Sequence, residues 1–448
     1  MIRHVAVIGA GFSGTLLAIN ILRHDGPRVT LIERNSGAGR GIAYSTLHAD
    51  HLLNVRAANM SAFPDDPDHF VRWLAAHGGQ GTAGDFAPRA TYGAYLRELL
   101  ETAREAAPER LTLVTGDVIS MSRGQGIGIA LRDGRAIDAD AAVLAVGNLP
   151  PDVPFGLDHL TLSPRYVGDP WTQPVAAGLS DTDTVLLLGT GLTMVDVVLM
   201  LETHGFRGRM VAMSRRGLSP HPHAAGPRNE APLAERPERT LSDLVRMVRE
   251  RAAAIGWRNA VDELRPYTQA MWARADGAAR RRFLRHLRPW WDVHRHRVAP
   301  PVAARLSALL DNRRLRVEAG KIVAATVTRE GIDVSWRGRG AERAERLDVQ
   351  RIICCTGPQT DITRSRDPLL RDLAANGIIR PDAEHLGIDV DPDGRAIAAD
   401  GSVEDRLTVI GPMTRGAFWE IVAVPDIRRE AWNLARRLSN AHWIGEGL

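Results

Sequence analysis

Two glycine-rich turns place backbone amides where they can bind phosphate. The first is Gly9-Ala10-Gly11-Phe12-Ser13-Gly14, and the second is Gly189-Thr190-Gly191-Leu192-Thr193-Met194. In the first turn each glycine has a separate role. Gly9 permits a tight turn, Gly11 lets the backbone approach a pyrophosphate, and Gly14 lets the next helix close onto the strand. The second turn keeps Gly189 and Gly191 but carries Met194 in the third place. That change loosens helix packing and leaves phosphate approach intact. Two such turns in one chain predict two dinucleotides held at once, which suits passing electrons from one to the other.

Each turn needs a strand before it and a helix after it. The apolar runs Ile2–Ile8 and Val185–Leu188 supply the strands. The helix expected from Ser13 to Leu22 points its amide end at the phosphates. The strand Arg28–Ile32 then ends at Glu33, where a carboxylate accepts hydrogen bonds from a ribose diol, with Arg34 beside it. The strand after the second turn, Arg209–Met213, ends in Ser214, Arg215 and Arg216 with no carboxylate. A hydroxyl and two guanidinium groups attract a 2′-phosphate, so this turn is expected to take NADPH over NADH.

Two later stretches echo one another. Residues 111–147 and 315–357 each show period-two alternation, then a buried strand closed by glycine, Gly147 in one and Gly357 in the other. Those glycines are expected near a cofactor. Cys354 and Cys355, the only cysteines, fall at the end of the second buried strand and are expected to pack in the core. They form no disulfide framework or C-x-x-C pattern. Near the end of the sequence, Leu407–Ile410 leads into Gly411-Pro412, and a helix is expected from Val424 to Leu438. This suits a flavin domain whose last part returns to cover the ring.

The sequence has 448 residues, 44% apolar content and a formal charge of +4, enough for two or three domains with proper cores. Its basicity is almost all arginine, because Lys321 is the only lysine. The near-balanced charge argues against nucleic acid as a partner. The first residues enter a strand directly, and the longest apolar stretch, Val185–Leu201, contains Asp196. A cytoplasmic protein with no membrane span is expected. Residues 236–312 lack a dinucleotide pattern and interleave Trp257, Trp272, Trp290 and Trp291 with arginines. They read as a helical cap whose arginines face solvent or an anionic substrate, with Trp290 and Trp291 in its core. Spacing of two sets His294 and His296 apart on a helix, though on one face of a strand, and no further Cys or Asp/Glu cluster completes a site, so no metal is expected.

These features together resemble a bacterial FAD/NAD(P)-binding flavoprotein family related to the class B flavin monooxygenases. The matching segments are Gly39–Tyr44, Leu52–Val55, Phe86–Arg89 with Tyr92–Leu96, Gly189–Asp196, Ser214–Gly217, Trp290–Arg297 and Gly411–Arg428. The resemblance implies FAD in the first turn and NADPH in the second. It also implies that Asn54 and Val55 lie near the flavin ring, with Asn54 as a polar catalytic group. Arg89 and Arg415 become candidate contacts to flavin, NADPH or an acidic substrate, with plain salt bridges as the alternative. The F-x-G-x-x-x-H-x-x-x-W signature of Baeyer–Villiger enzymes is absent. The nearest stretch, Tyr166–Trp171, has no histidine. The resemblance then implies a monooxygenase of the N-hydroxylating or a related type, acting on a small polar substrate. The alternatives are a flavin reductase or dehydrogenase without oxygen insertion, and a non-catalytic flavin-binding regulatory protein.

The expected fold class is α/β, with two Rossmann-like dinucleotide-binding domains and a helical cap insertion. The FAD domain spans 1–165 and 345–448, and the NADPH domain that interrupts it spans 166–235 and 313–344. The cap spans 236–312.

Overall fold

The computed structural model describes residues 2–35, 37–79, 82–224, 233–237 and 240–439. Residue 1 and residues 440–448, at the two ends of the expected FAD domain, lie outside these residues, as do 225–232 of the expected NADPH domain and 238–239 of the expected cap. The first lobe opens with β1 (His4–Ile8), α1 (Phe12–Arg23) and β2 (Arg28–Glu33). Short helices α2 (Gly41–Tyr44) and α3 (His69–Ala76) lead to the long α4 (Arg89–Ala106) and β3 (Leu111–Thr115). An antiparallel trio follows, β4 (Val118–Arg123), β5 (Ile127–Leu131) and β6 (Ala136–Ala139), before β7 (Ala141–Leu144) re-enters the main sheet. Every residue of β1 and β7 is buried. That is the continuous apolar run expected of a parallel strand covered on both faces.

The second lobe contains β8 (Tyr166–Val167), β9 (Thr184–Leu188), α5 (Leu192–Thr203) and β10 (Arg209–Ser214). Among the described residues five cap helices come next: α6 (Leu241–Ile255), α7 (Trp257–Asp262), α8 (Thr268–Arg274), α9 (Gly277–Arg282) and α10 (Arg288–Arg295). A wide π-type turn, Phe283–Leu287, separates the last two. Then come α11 (Pro300–Asp311), β11 (Leu315–Val327), β12 (Ile332–Gly338), β13 (Glu345–Val349) and β14 (Arg351–Cys354). The seven strands of this lobe run in the order β13-β12-β11-β10-β9-β14-β8. β11 does double duty. Leu315–Ala319 pairs parallel with β10, and the remainder pairs antiparallel with β12.

The chain then returns to the first lobe through α12 (Pro368–Ala375), β15 (Arg395–Ile397), β16 (Val403–Val409) and α13 (Val424–Leu438). The first sheet runs β15-β16-β7-β1-β2-β3, with β16 parallel to β7. α13 buries Val424, Ile427, Ala431, Leu434, Ala435 and Leu438, a helical stripe in the same core as the apolar residues of α1. A first lobe interrupted by a second is thus built into the strand order. The two connections run side by side, with Leu149 bridged to Gln359 in antiparallel sense.

Two segments sit elsewhere than expected. β13 and β14 belong to the second sheet, so the boundary expected at 345 shifts to follow Cys354. α11 buries Val302 and Leu309 in the core that contains β9 and α5, so it covers the second sheet and is no part of the cap. Among the described residues no helix is long and apolar enough to cross a membrane.

Candidate active site

The first turn is shaped by its glycines. Gly9 has φ +103°, and a Cβ there would collide with the carbonyl of Ala145. A Cβ on Gly14 would strike the carbonyl of Gly9, so this glycine seats α1 against β1. Gly11 differs. The nearest atom to a Cβ there is Gly41 Cα at 3.6 Å, so the protein leaves open space in front of it. Gly11 is the N-cap of α1, with no side-chain cap and no acid in the first turn. Uncapped amides facing open space form an anion site. The Phe12 ring turns inward against Tyr44 and Tyr92, so only its backbone can serve that site. Ser13 is buried beneath Gly411, where a Cβ would clash with the Ser13 hydroxyl.

Past the carboxyl ends of β2 and β3 lies a cavity of about 730 Å3, lined by Glu33, Asn35, Arg40, Trp73 and Arg97 among others. The Glu33 carboxylate accepts from the backbone N–H groups of Ala10 at 2.8 Å and Asn35 at 3.3 Å. An ionised carboxylate retains lone pairs for a diol after two such bonds. The Trp73 indole nitrogen and Arg40 Nε are buried with no protein partner among the described residues. Orphaned donors on the wall of a cavity beside a phosphate turn fit the nucleoside half of a dinucleotide. Neither was among the expected site residues. Arg34 is not at this wall in a free state: its guanidinium is held by Asp367 at 2.6 Å, with Asp117 at 3.7 Å.

The second turn repeats the design. Gly189 has φ +116°, and a Cβ there would collide with the carbonyl of Cys355. Gly191 caps α5 without a side-chain bond, and a Cβ on it would meet nothing within 4 Å. Leu192 packs against the second core, and Met194 is buried in it. Thr193 stays half-buried at the helix mouth. At the end of β10, the Ser214 hydroxyl contacts Thr190 Oγ1 at 2.9 Å and accepts from the Gly217 N–H at 3.0 Å. Ser214 therefore organises the turn that carries the arginines. Arg215 is exposed, and Arg216 donates to the carbonyl of Arg285 in the cap at 3.2 Å. Gly147 and Gly357 follow β7 and β14, and a Cβ on either would meet open space.

Between the cradles runs a polar seam. Arg89, at the first turn of α4, donates to both oxygens of Asp196 on α5, at 2.8 and 3.0 Å, and to the Leu52 carbonyl at 3.2 Å. The salt-bridge alternative thus describes Arg89, and its guanidinium is occupied between the lobes. His51 adds a second tie, with Nε2 3.1 Å from the Asp196 carbonyl and Nδ1 2.8 Å from Thr46 Oγ1. A carbonyl only accepts, so Nε2 carries the proton. Asn54 is half-buried beside this seam. Its carbonyl accepts from His223 Nε2 at 2.9 Å, and its carboxamide has no protein partner among the described residues. Val55 packs against the first core.

Gly411-Pro412 opens a tight turn above Ser13. The Gly411 N–H donates to Glu430 at 2.8 Å, and the Thr414 hydroxyl to the same carboxylate at 3.1 Å. Burial pushes the Glu430 carboxyl up to about 8. Arg415 follows, half-buried; burial pulls its guanidinium down to about 10, with Arg288 acting in the same direction. Among the described residues no hydrogen bond or ion pair joins Arg415 to Asn54 or Arg89. Glu420 nearby has φ +73° and holds Trp291 Nε1 at 2.7 Å and Arg295 Nε at 2.9 Å. Cys354 and Cys355 are buried thiols that face different cores. Among the described residues no three His, Cys, Asp or Glu side chains gather into a metal-holding group.

Residues 6–149 match a family model described as FAD-NAD(P)-binding. No curated protein matches the chain in sequence. Solved structures match along its whole length. An L-lysine 6-monooxygenase from Pseudomonas syringae is 17% identical, with TM-score 0.67, covering 98% of this chain and all of that one. The cadaverine monooxygenase DfoA of Erwinia amylovora, solved with FAD, is 13% identical, with TM-score 0.67, covering 98% and 95%. A Kutzneria ornithine N-hydroxylase, solved with reduced FAD, NADP+ and L-ornithine, is 15% identical, with TM-score 0.62, covering 98% and all of that chain. This chain is similar to all three in fold.

Proposed function

We propose that the chain is an NADPH-dependent FAD oxidoreductase, a flavin monooxygenase of the N-hydroxylating type acting on a small polar amine. The observation that carries this reading is the pair of uncapped helix N-termini, at Gly11 and Gly191, each facing open space beyond a parallel strand. One anion site of this kind suits many proteins; two, on interleaved lobes, suit two dinucleotides. When bound, FAD supplies the ring that accepts hydride and activates oxygen, and NADPH supplies the hydride.

The residues of this chain bind and orient. The Gly11 and Ser13 amides take the FAD pyrophosphate, Glu33 takes its ribose, and Arg40 and Trp73 line the space for its adenine end. The Gly191 and Thr193 amides take the second pyrophosphate, with Arg215 and Arg216 at the 2′-phosphate. Gly147, Gly357 and Gly411-Pro412 let backbone lie close to the cofactors. The free Asn54 carboxamide is a hydrogen-bond donor at the seam, where water exclusion protects the reactive ring. The N-hydroxylating assignment is supported by the fold shared with amine monooxygenases and by the missing Baeyer–Villiger signature. A dithiol reductase is disfavoured because both cysteines are buried and burial raises the Cys355 thiol pKa well above its usual value.

The test is stoichiometry. FAD-loaded protein is given NADPH, oxygen and a panel of amines, starting with L-lysine, L-ornithine and cadaverine. The proposal expects one amine for which hydroxylated product matches NADPH consumed. Peroxide alone as product across the panel would assign an oxidase or reductase instead.

A further inference from the structure

The cap contains a cavity of about 550 Å3 that the cofactor sites do not use. Its walls are apolar and aromatic, with Trp257, Trp272, Phe283, Trp290, Trp291 and Trp419 contributing rings. This volume and lining fall within the range of small-molecule sites, about 300–1,000 Å3 and mostly apolar. Trp290, expected in the core of the cap, is instead 47% exposed and lines this space. A tryptophan left half in water against an apolar cavity is costly unless something covers it. Trp419 stacks on Trp272 with ring centroids 4.7 Å apart, and the Trp272 indole N–H donates to the Gly416 carbonyl at 2.8 Å. The floor of the cavity is therefore rigid.

The charge around it has one sign. Among the described residues the ionisable groups that line the cavity are Arg249, Arg280 and His294, with no carboxylate. Residues 241–295 contain twelve arginines against six Asp and Glu. Arg280 lies over the Trp272 ring at 5.0 Å and, among the described residues, donates to the backbone carbonyls of Trp272 and Ala273 alone. A guanidinium spent on neutral carbonyls at the rim of an apolar cavity is suited to a carboxylate. We propose that this cavity binds a small apolar carboxylate, an acyl or arylalkyl acid, with its tail among the tryptophans and its head at Arg249 and Arg280. The site is separate from both phosphate cradles and stands whether or not the proposed oxidation holds.

The test is calorimetric titration of the full chain with dodecanoate and, as the cationic counterpart, dodecyltrimethylammonium. The proposal expects saturable 1:1 binding of dodecanoate, at least tenfold tighter than the cation. Val248→Trp and Ala252→Trp fill the cavity from α6, which has no fully buried residue, so the fold tolerates them. With circular dichroism unchanged, either variant is expected to lose at least tenfold in dodecanoate affinity. Arg249→Gln with Arg280→Gln is expected to erase the preference for the anion. Absence of saturable binding, unchanged affinity in folded cavity-filled variants, or equal affinity for both ions overturns the proposal.

Discussion

Arg89 and Asp196 are separated by 107 residues of sequence and joined by two hydrogen bonds, at 2.8 and 3.0 Å. They tie α4 of the first lobe to α5 of the second, with both side chains largely buried. Removing one partner leaves the other charge buried and unpaired, which costs about 3 kcal/mol. Asp196→Asn and Arg89→Gln are each expected to lower thermal stability by that order. The double variant is expected to lose less than the sum of the two, which a double-mutant cycle measures.

Gly11 and Gly14 separate fold from ligand. A Cβ on Gly14 collides with the Gly9 carbonyl, whereas one on Gly11 meets only Gly41 Cα at 3.6 Å. Gly14→Val is expected to impair folding. Gly11→Val is expected to fold with near-normal circular dichroism and to purify without FAD. Yellow, fully loaded Gly11→Val protein contradicts the first cradle.

Under the proposed function, Arg215 and Arg216 carry the choice of nicotinamide. Hydrogen bonds to charged groups contribute about 1.5–3 kcal/mol each. Changing both arginines to Ala is expected to weaken NADPH on the order of a hundredfold and to leave NADH nearly unchanged, as competitive binding titrations read. Arg216 also donates to the Arg285 carbonyl, so Arg215→Ala alone is the cleaner variant.

Glu430 links stability to pH. Burial raises its carboxyl from 4.5 in the unfolded chain to about 8 in the fold. Between these values the native state holds a proton that the unfolded chain has released. Stability from this group is therefore complete below about pH 4.5 and is lost as pH rises through about 8. Glu430→Gln keeps an oxygen to accept the Gly411 N–H. Melting curves are expected to show the variant close to wild type at pH 5 and more stable than it at pH 8.

Much of this arrangement is legible in sequence because it is local. Gly9, Gly11 and Gly14 sit within one turn, and Glu33 follows at a fixed distance along the same strand–helix–strand unit. What escapes is set by distant partners. β13 and β14 alternate like any strands, and nothing in their residues says which sheet they join. α11 reads as one more helix of the cap, although Val302 and Leu309 face the second sheet. Arg89 looks like a free cation until Asp196 is beside it, and Arg34 until Asp367 is. Trp73 and Arg40 give no signal, because their unpaired nitrogens become notable only once a cavity forms around them.

The central claim is that two cofactors meet in this chain, and anaerobic mixing of FAD-loaded protein with NADPH tests it most directly. Saturable loss of the visible flavin absorbance, faster with NADPH than with NADH, is the expected result. An unchanged flavin spectrum under saturating NADPH contradicts the account.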